Sequence, residues 1–143
     1  MRSKRLQEAA ERTYVLVFDK GEEVISGLEA FARQEGLSGS AITGIGALRR
    51  LTLGYFEAER KDYIRIPIDE QVEVVSLVGN VAIDDGEPAL HVHIVVAKKD
   101  GTAYGGHLLD AQVWPTLEVV FHEQPGYLQR RTDPETGLAL LAP

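Results

Sequence analysis

The sequence predicts a single α/β (α+β) domain that is rich in strands and has one main helix. The chain has 143 residues, the size of one ordinary domain that can bury a core without disulfides or a structural metal. Runs of β-branched and aromatic residues are interrupted by glycine, arginine or aspartate, and only one stretch has a helical period. No internal repeat or low-complexity linker indicates a second domain.

The first two predicted elements are a strand and the helix. Residues 13–18, "TYVLVF", have the composition of a buried strand. For the helix, Asp19 is the predicted N-cap, Glu22 stands at capping-box spacing, and Gly36 is the predicted stop. Its predicted buried face consists of apolar side chains at helical spacing: Val24, Leu28, Phe31 and Ala32.

All later predicted elements are strands. Four runs follow the helix, namely "SAITGIGAL", "LTLGYFE", "YIRIPI" and "VEVVSLVGNVAI". Residues 86–109 supply two more strands, and "LEVVFHEQ" at 117–124 supplies another before a turn-rich tail. Gly44 and Gly46 have the spacing of a dinucleotide-binding loop, but the third glycine and the following helix are missing. We therefore interpret these glycines as points where strands bend or pack closely.

Charge and composition limit the classes of function. The formal net charge is −7, from 22 acidic and 15 basic residues, and nucleic-acid affinity comes largely from cationic groups. We therefore do not expect nucleic-acid binding, and we interpret short basic clusters such as "RSKR" as solvated tails and turns. No apolar run approaches the roughly 20 residues that span a bilayer. We expect a soluble, cytoplasmic protein with no membrane partner.

Three of the four histidines lie in "GEPALHVHIVVAKKDGTAYGGHLL", residues 86–109. Side chains alternate between the two faces of a strand, so His91 and His93 share a face. The face of His107 depends on the hairpin loop in "KKDGT". A two-residue loop places His107 on the opposite face, whereas a three-residue loop, 99–101, places it directly opposite His93.

With the three-residue loop, the three imidazoles converge. Cross-strand Cβ atoms are about 5 Å apart, close enough for ring nitrogens to meet one divalent ion at about 2.0–2.1 Å. Because the chain has no cysteine, any tight metal site must use histidines and carboxylates. The alternative is that these are solvated or hydrogen-bonded strand histidines. We interpret His122 as a surface residue, and Glu118 either as a proton carrier near the site or as an exposed strand carboxylate.

These segments also resemble a known family. "VEVVSLVGNVAI", "GEPALHVHIVVAKKDG", "YGGHLL" and "LEVVF" are similar to successive signatures of the PPC domain (DUF296), the plants-and-prokaryotes conserved domain. The resemblance covers about residues 13–124, so we treat 1–12 as a tail and 125–143 as an extension packed on the domain or a neighbouring subunit. It implies a stand-alone prokaryotic member with a compact domain and a strongly bent, mainly antiparallel sheet.

The resemblance also implies an assembly and a metal. Members assemble as trimers, for which the apolar ends of "LTLGYF" and "GLALLAP" are natural contact surfaces. Some prokaryotic members carry a metal, usually zinc, and the matching positions here are His91, His93 and His107. Plant relatives bind AT-rich DNA through AT-hooks, but this chain contains no R-G-R-P hook.

Two classes of function remain open from the sequence. The first is a metal-binding domain with a small-molecule ligand, in which three neutral histidines leave a coordination position for water or substrate. The fold that the resemblance implies is similar to that of acetolactate decarboxylase, but a fold does not carry a function by itself. The second is a regulatory assembly module that binds a protein or DNA. No catalytic residue is identified, and enzymatic activity stays undecided.

Overall fold

A computed structural model of the chain describes residues 1–7, 11–123 and 128–142. These residues form one helix within a strand-rich domain, as the sequence predicts. The elements in chain order are β1 (Arg2–Gln7), β2 (Arg12–Phe18), α1 (Val24–Glu35), β3 (Gly39–Glu57), β4 (Asp62–Ile68), β5 (Val72–Asp84), β6 (Glu87–Ala97), β7 (Ala103–Glu123), β8 (Arg130–Thr132) and β9 (Ala139–Leu141).

Seven of the strands form one antiparallel sheet in the order β1-β2-β7-β6-β5-β3-β4. Because β3 also pairs with β7, the strands β3, β5, β6 and β7 close into a ring. Such closure requires strong bending of the two longest strands, β3 with 19 residues and β7 with 21. The strands β8 and β9 form a separate two-stranded sheet. The strongly bent, mainly antiparallel sheet is therefore confirmed.

The hydrophobic core lies between α1 and the sheet. The predicted helix face, Val24, Leu28, Phe31 and Ala32, is fully buried. The Phe31 ring packs against the rings of Tyr14 and Phe121, with centroid separations of 5.2 and 5.4 Å. This aromatic contact fixes the helix against β2 and β7.

The helix begins later than the sequence predicts. Its N-cap is Glu23, whose carboxylate accepts hydrogen bonds from Ile25 N and Ser26 N at 3.2 and 2.7 Å. Ala111 N on β7 donates to the same carboxylate at 3.1 Å, so a contact between distant segments selects this residue as the cap. The prediction of Asp19 as the N-cap was wrong. The predicted stop at Gly36 is confirmed by its left-handed φ of 61°.

Two predicted strand breaks are absent because β3 and β7 bend without ending. Segments 40–48 and 51–57 belong to one strand, β3, and the described part of "LEVVFHEQ", residues 117–123, continues β7. Register shifts in the β3–β7 pairing lie at Gly46/Leu48 and Leu48/Arg50, and such bulges bend a strand while most of its ladder stays paired. Gly44 and Gly46 lie within β3, as the interpretation of close strand packing requires.

Both terminal segments contribute strands. Part of segment 1–12 forms β1, which pairs with β2 at the edge of the sheet. In the C-terminal segment, Leu128 N donates to Ser38 O at 2.8 Å and Ile83 N donates to Leu128 O at 2.7 Å. The described part of this segment therefore packs on its own domain, beside β5. Among the described residues, no helix has the length and apolar character of a membrane span.

Candidate metal centre

The hairpin between β6 and β7 has the three-residue loop. Lys98 N donates to Thr102 O at 2.9 Å, and Gly101 N donates to Lys98 O at 2.8 Å. Gly101 has a φ of 83°, a conformation that this turn requires and that glycine adopts without strain. His93 is consequently paired with His107 across the two strands. The loop length thus places the third histidine on the face of the first two.

The three imidazoles of His91, His93 and His107 lie together. Their ring centroids are 5.0 to 5.4 Å apart, and one nitrogen from each ring lies within 4.8 Å of the others. The Nε2 atoms of His91 and His93 are 3.1 Å apart. Nitrogens that share one tetrahedral ion are roughly 3.3 Å apart. Small ring rotations would therefore bring all three to a common ion.

The residues present suit a metal by their chemistry as well as by their spacing. Nδ1 of His107 is buried and has no hydrogen-bond partner among the described residues, and an orphaned buried nitrogen is a group that an ion or a water satisfies. Three imidazoles suit zinc and its neighbours in the first transition row better than calcium or magnesium, which prefer oxygen ligands. The arrangement can hold a zinc-like ion with a fourth position open.

Burial and mutual repulsion keep two of the rings neutral at physiological pH. Desolvation, followed by the charges of His91 and His93, lowers the pKa of His107 to about 4. The pKa of His91 is also lowered, first by desolvation and then by the charges of His93 and Arg130. Only a neutral imidazole can bind a metal. These two rings therefore need not lose a proton before they could bind a metal at neutral pH.

Comparison with known proteins shows the family to which the sequence belongs. The sequence pattern of the Plants and Prokaryotes Conserved (PCC) domain matches residues 5–125, a span that includes all three histidines. The chain belongs to the PCC-domain family. The resemblance inferred from the strand and histidine segments is thereby confirmed.

Two solved structures resemble this PCC domain over nearly its whole length. A protein from Bacteroides thetaiotaomicron that has been proposed to bind DNA is 29% identical, with a TM-score of 0.89 over 98% of this chain and 96% of that one. A metal-containing protein from Archaeoglobus fulgidus is 34% identical, with a TM-score of 0.84 over 92% of this chain and 93% of that one. The two descriptions represent the two classes of function left open by the sequence.

Two further comparisons bear on the fold and on domain context. A Synechococcus bifunctional protein GlmU is 32% identical over 129 residues, which are 88% of this chain and 20% of that protein. The PCC chain thus spans about a fifth of the length of the curated relatives it matches. Acetolactate decarboxylase from Bacillus subtilis is 15% identical with a TM-score of 0.59, over 77% of this chain and 52% of that one. This likeness concerns the fold alone.

Tyr63 is a neighbour of the histidines that the sequence reasoning missed. It lies on β4, yet its ring stacks on that of His107 on β7, with centroids 4.9 Å apart and planes 31° apart. The ring passes over β3 at Gly54, where an added Cβ would lie 2.8 Å from Tyr63 Cδ1. A glycine inside the strand "LTLGYF" was the available signal, because such glycines mark close approach of another group.

Arg130 was missed as well, because nothing near it in the sequence points to the histidines. It lies on β8 in the C-terminal segment and lines a cavity together with His91 and His107. Only the path of the chain back to β5 brings it there.

Glu118 and His122 lie elsewhere on the PCC domain. Glu118 is exposed and pairs with Val17 and Ile45 on neighbouring strands. It lines a cavity separate from the one beside the histidines, which favours the exposed-carboxylate interpretation. His122 is exposed, and its Nδ1 lies 3.3 Å from Thr13 Oγ1. Neither residue is grouped with the three histidines.

Proposed function

We propose that this PCC domain binds one divalent ion per chain, zinc, through His91, His93 and His107. The observation that carries the proposal is the convergence of the three rings, with one nitrogen of each within 4.8 Å of the others. The Archaeoglobus relative, described as metal-containing, adds support at 34% identity. When bound, zinc with one open position would act as a Lewis acid toward an oxygen ligand. The chain's own residues would hold the ion and shape the space beside it.

Metal content of the purified protein tests this proposal. Protein produced without a histidine tag and dialysed against a trace of zinc should contain about one zinc per chain by elemental analysis. His93→Ala should lose most of that zinc, because two imidazoles bind the ion far more weakly than three. His122→Ala is the matched control, since His122 is an exposed strand histidine outside the cluster. Equal zinc in His93→Ala and the parent chain would contradict the proposed ligand set.

We also propose that the chain assembles as a homotrimer. Each of the two segments expected at the contact has an exposed apolar side chain: Tyr55 in "LTLGYF" is 63% exposed, and Leu140 in "GLALLAP" is 45% exposed. A second apolar surface surrounds a cavity on the sheet, where Ile45 is 60% and Val75 57% exposed. Apolar side chains grouped on a surface are typical of contacts between subunits.

Light scattering tests the proposed assembly. At micromolar concentration the mass should be three times the 15.7 kDa of one chain. Val75→Asp should lower the mass if the apolar surface on the sheet is the contact, because a carboxylate buried between subunits is strongly destabilising. A parent chain with the mass of a monomer would contradict the trimer.

DNA binding is the alternative that the description of the Bacteroides relative favours. The physical argument runs against it, because this chain has a net charge of −7 and no AT-hook. Binding to DNA releases counterions in proportion to the phosphates that cationic side chains neutralise. The metal-binding function therefore has the better physical support.

A further inference from the structure

A cavity of about 190 Å³ adjoins the histidine cluster. His91, His107 and Tyr63 line it, and Leu90 and Leu140 contribute apolar lining. An apolar cavity of about 150 Å³ holds a benzene molecule. A ligand of roughly six to nine non-hydrogen atoms would therefore fill this one.

Arg130 lines the same cavity, and its guanidinium is only partly satisfied. Arg130 is 8% exposed. Its Nη1 donates to Ala139 O at 3.2 Å and its Nη2 donates to Asn80 Oδ1, which uses two of the five N–H groups of an arginine. Its Nε is buried and has no partner among the described residues. An unsatisfied buried donor of this kind destabilises the folded state unless an acceptor is supplied.

The lining of the cavity carries one cation, Arg130, and one carboxylate, Asp84. Arginine stays protonated in proteins, so Arg130, which is 8% exposed, brings a buried positive charge to the cavity. Asp84 also lines the cavity and acts on Arg130 through its charge. However, no carboxylate among the side chains that the structure describes forms an ion pair with Arg130. A divalent ion on the histidines would give the cavity a net positive charge, which favours an anion.

We propose that Arg130 is the anion-binding residue of this site and receives the carboxylate of a small organic acid whose other end faces the metal. The inference rests on the proposed metal-binding function and adds the class of ligand. Arginine binds a carboxylate through two parallel N–H donors where geometry allows. The apolar wall from Leu90 and Leu140 favours an organic acid over inorganic phosphate, because it would gain contact with the ligand's carbon atoms.

Benzoate and its uncharged analogue benzamide are suitable probes, since both match the size of the cavity. Calorimetric titration of the full chain, loaded with zinc and separately freed of metal, should show benzoate binding more tightly than benzamide. Arg130→Gln should weaken benzoate binding by about 10-fold or more and leave benzamide unchanged, the loss expected for a charge-assisted hydrogen bond. Arg131→Gln is the matched control, because Arg131 is the exposed neighbour on the same strand.

The outcomes separate this inference from the proposed metal site. Equal benzoate affinity in Arg130→Gln and the parent would overturn the inference, as would phosphate binding more tightly than benzoate. Arg130-dependent benzoate binding in a chain that takes up no zinc would keep the anion site and reject the metal site. If Arg130→Gln does not fold, Arg130→Lys replaces it. The Arg130→Lys variant should still bind benzoate more tightly than benzamide. Its benzoate affinity should be several-fold weaker than that of the parent chain, because a lysine cannot form the bidentate contact.

Discussion

Zinc is expected to raise the thermal unfolding midpoint of the protein by about 10 °C relative to the chelated form. A ligand that binds only the folded state stabilises it by about 2.7 kcal/mol at a free concentration 100 times its dissociation constant. A domain of this size shifts by roughly 3–5 °C per kcal/mol. The ion would join β6 and β7 through the paired residues His93 and His107. Differential scanning fluorimetry with buffered zinc and with chelator measures the shift.

Two variants, His107→Ala and His122→Ala, test whether the shift comes from the histidine cluster. The quantity compared is the difference between the unfolding midpoints of the zinc-loaded and chelated forms. His107→Ala loses a ring that stacks on Tyr63, so its chelated form starts from a lower midpoint. The difference between its loaded and chelated forms should nevertheless fall close to zero, whereas His122→Ala should keep the full difference. A full shift in His107→Ala would mean that zinc stabilises the fold from another place.

The unfolding midpoint of the chelated form is expected to change with pH in a defined direction. The pKa of His107 is lowered to about 4 in the folded chain, first by desolvation and then by the neighbouring histidines. A histidine in an unfolded chain titrates near 6.5. Between about pH 6.5 and 4 the unfolded chain therefore binds a proton that the folded chain does not. The midpoint of the chelated form should fall as pH is lowered through this window, and the zinc-dependent shift should shrink with it.

The convergence of the histidines could be predicted from the sequence because it depends on local rules. Strand alternation places His91 and His93 on one face, and a turn of three residues decides where His107 lies. The sequence left two loop lengths open, since both fit "KKDGT". The structure has the longer loop, with Gly101 in the left-handed region.

The features that the sequence reasoning did not predict depend on contacts between distant segments, not on local rules. Glu23 replaces Asp19 as the N-cap because a backbone amide of β7 also binds its carboxylate. The predicted break after segment 40–48 is absent because bulges let β3 bend while it stays paired with β7. Tyr63 and Arg130 reach the histidines through contacts between segments far apart in the sequence. Such contacts depend on how distant strands and the C-terminal segment pack together, and they leave no periodic signal in the chain.

The closed sheet itself depends on Gly46, and Gly46→Ala is expected to destabilise the domain by roughly 3–5 kcal/mol. An added Cβ would lie 2.4 Å from Thr116 O and 2.7 Å from Leu117 Cα, which are backbone atoms of β7. Gly46 also has a φ of 153°, a conformation that side-chain-bearing residues rarely adopt. Because neither strand can move aside without opening the β3–β7 pairing, the loss is a large part of the 5–15 kcal/mol typical of a whole domain.

Urea unfolding at one fixed protein concentration measures this loss of stability. Gly101→Ala is the comparison variant, because Gly101 has a positive φ, of 83°, but no neighbour within 4 Å that an added Cβ would meet. The cost of its backbone conformation alone should be about 1–2 kcal/mol. Gly46→Ala should lose clearly more than that, because the clash with β7 adds to the cost of its own backbone conformation. Equal losses in the two variants would show that the strands separate easily at this point, and the account of how β3 and β7 hold the sheet closed would then be wrong.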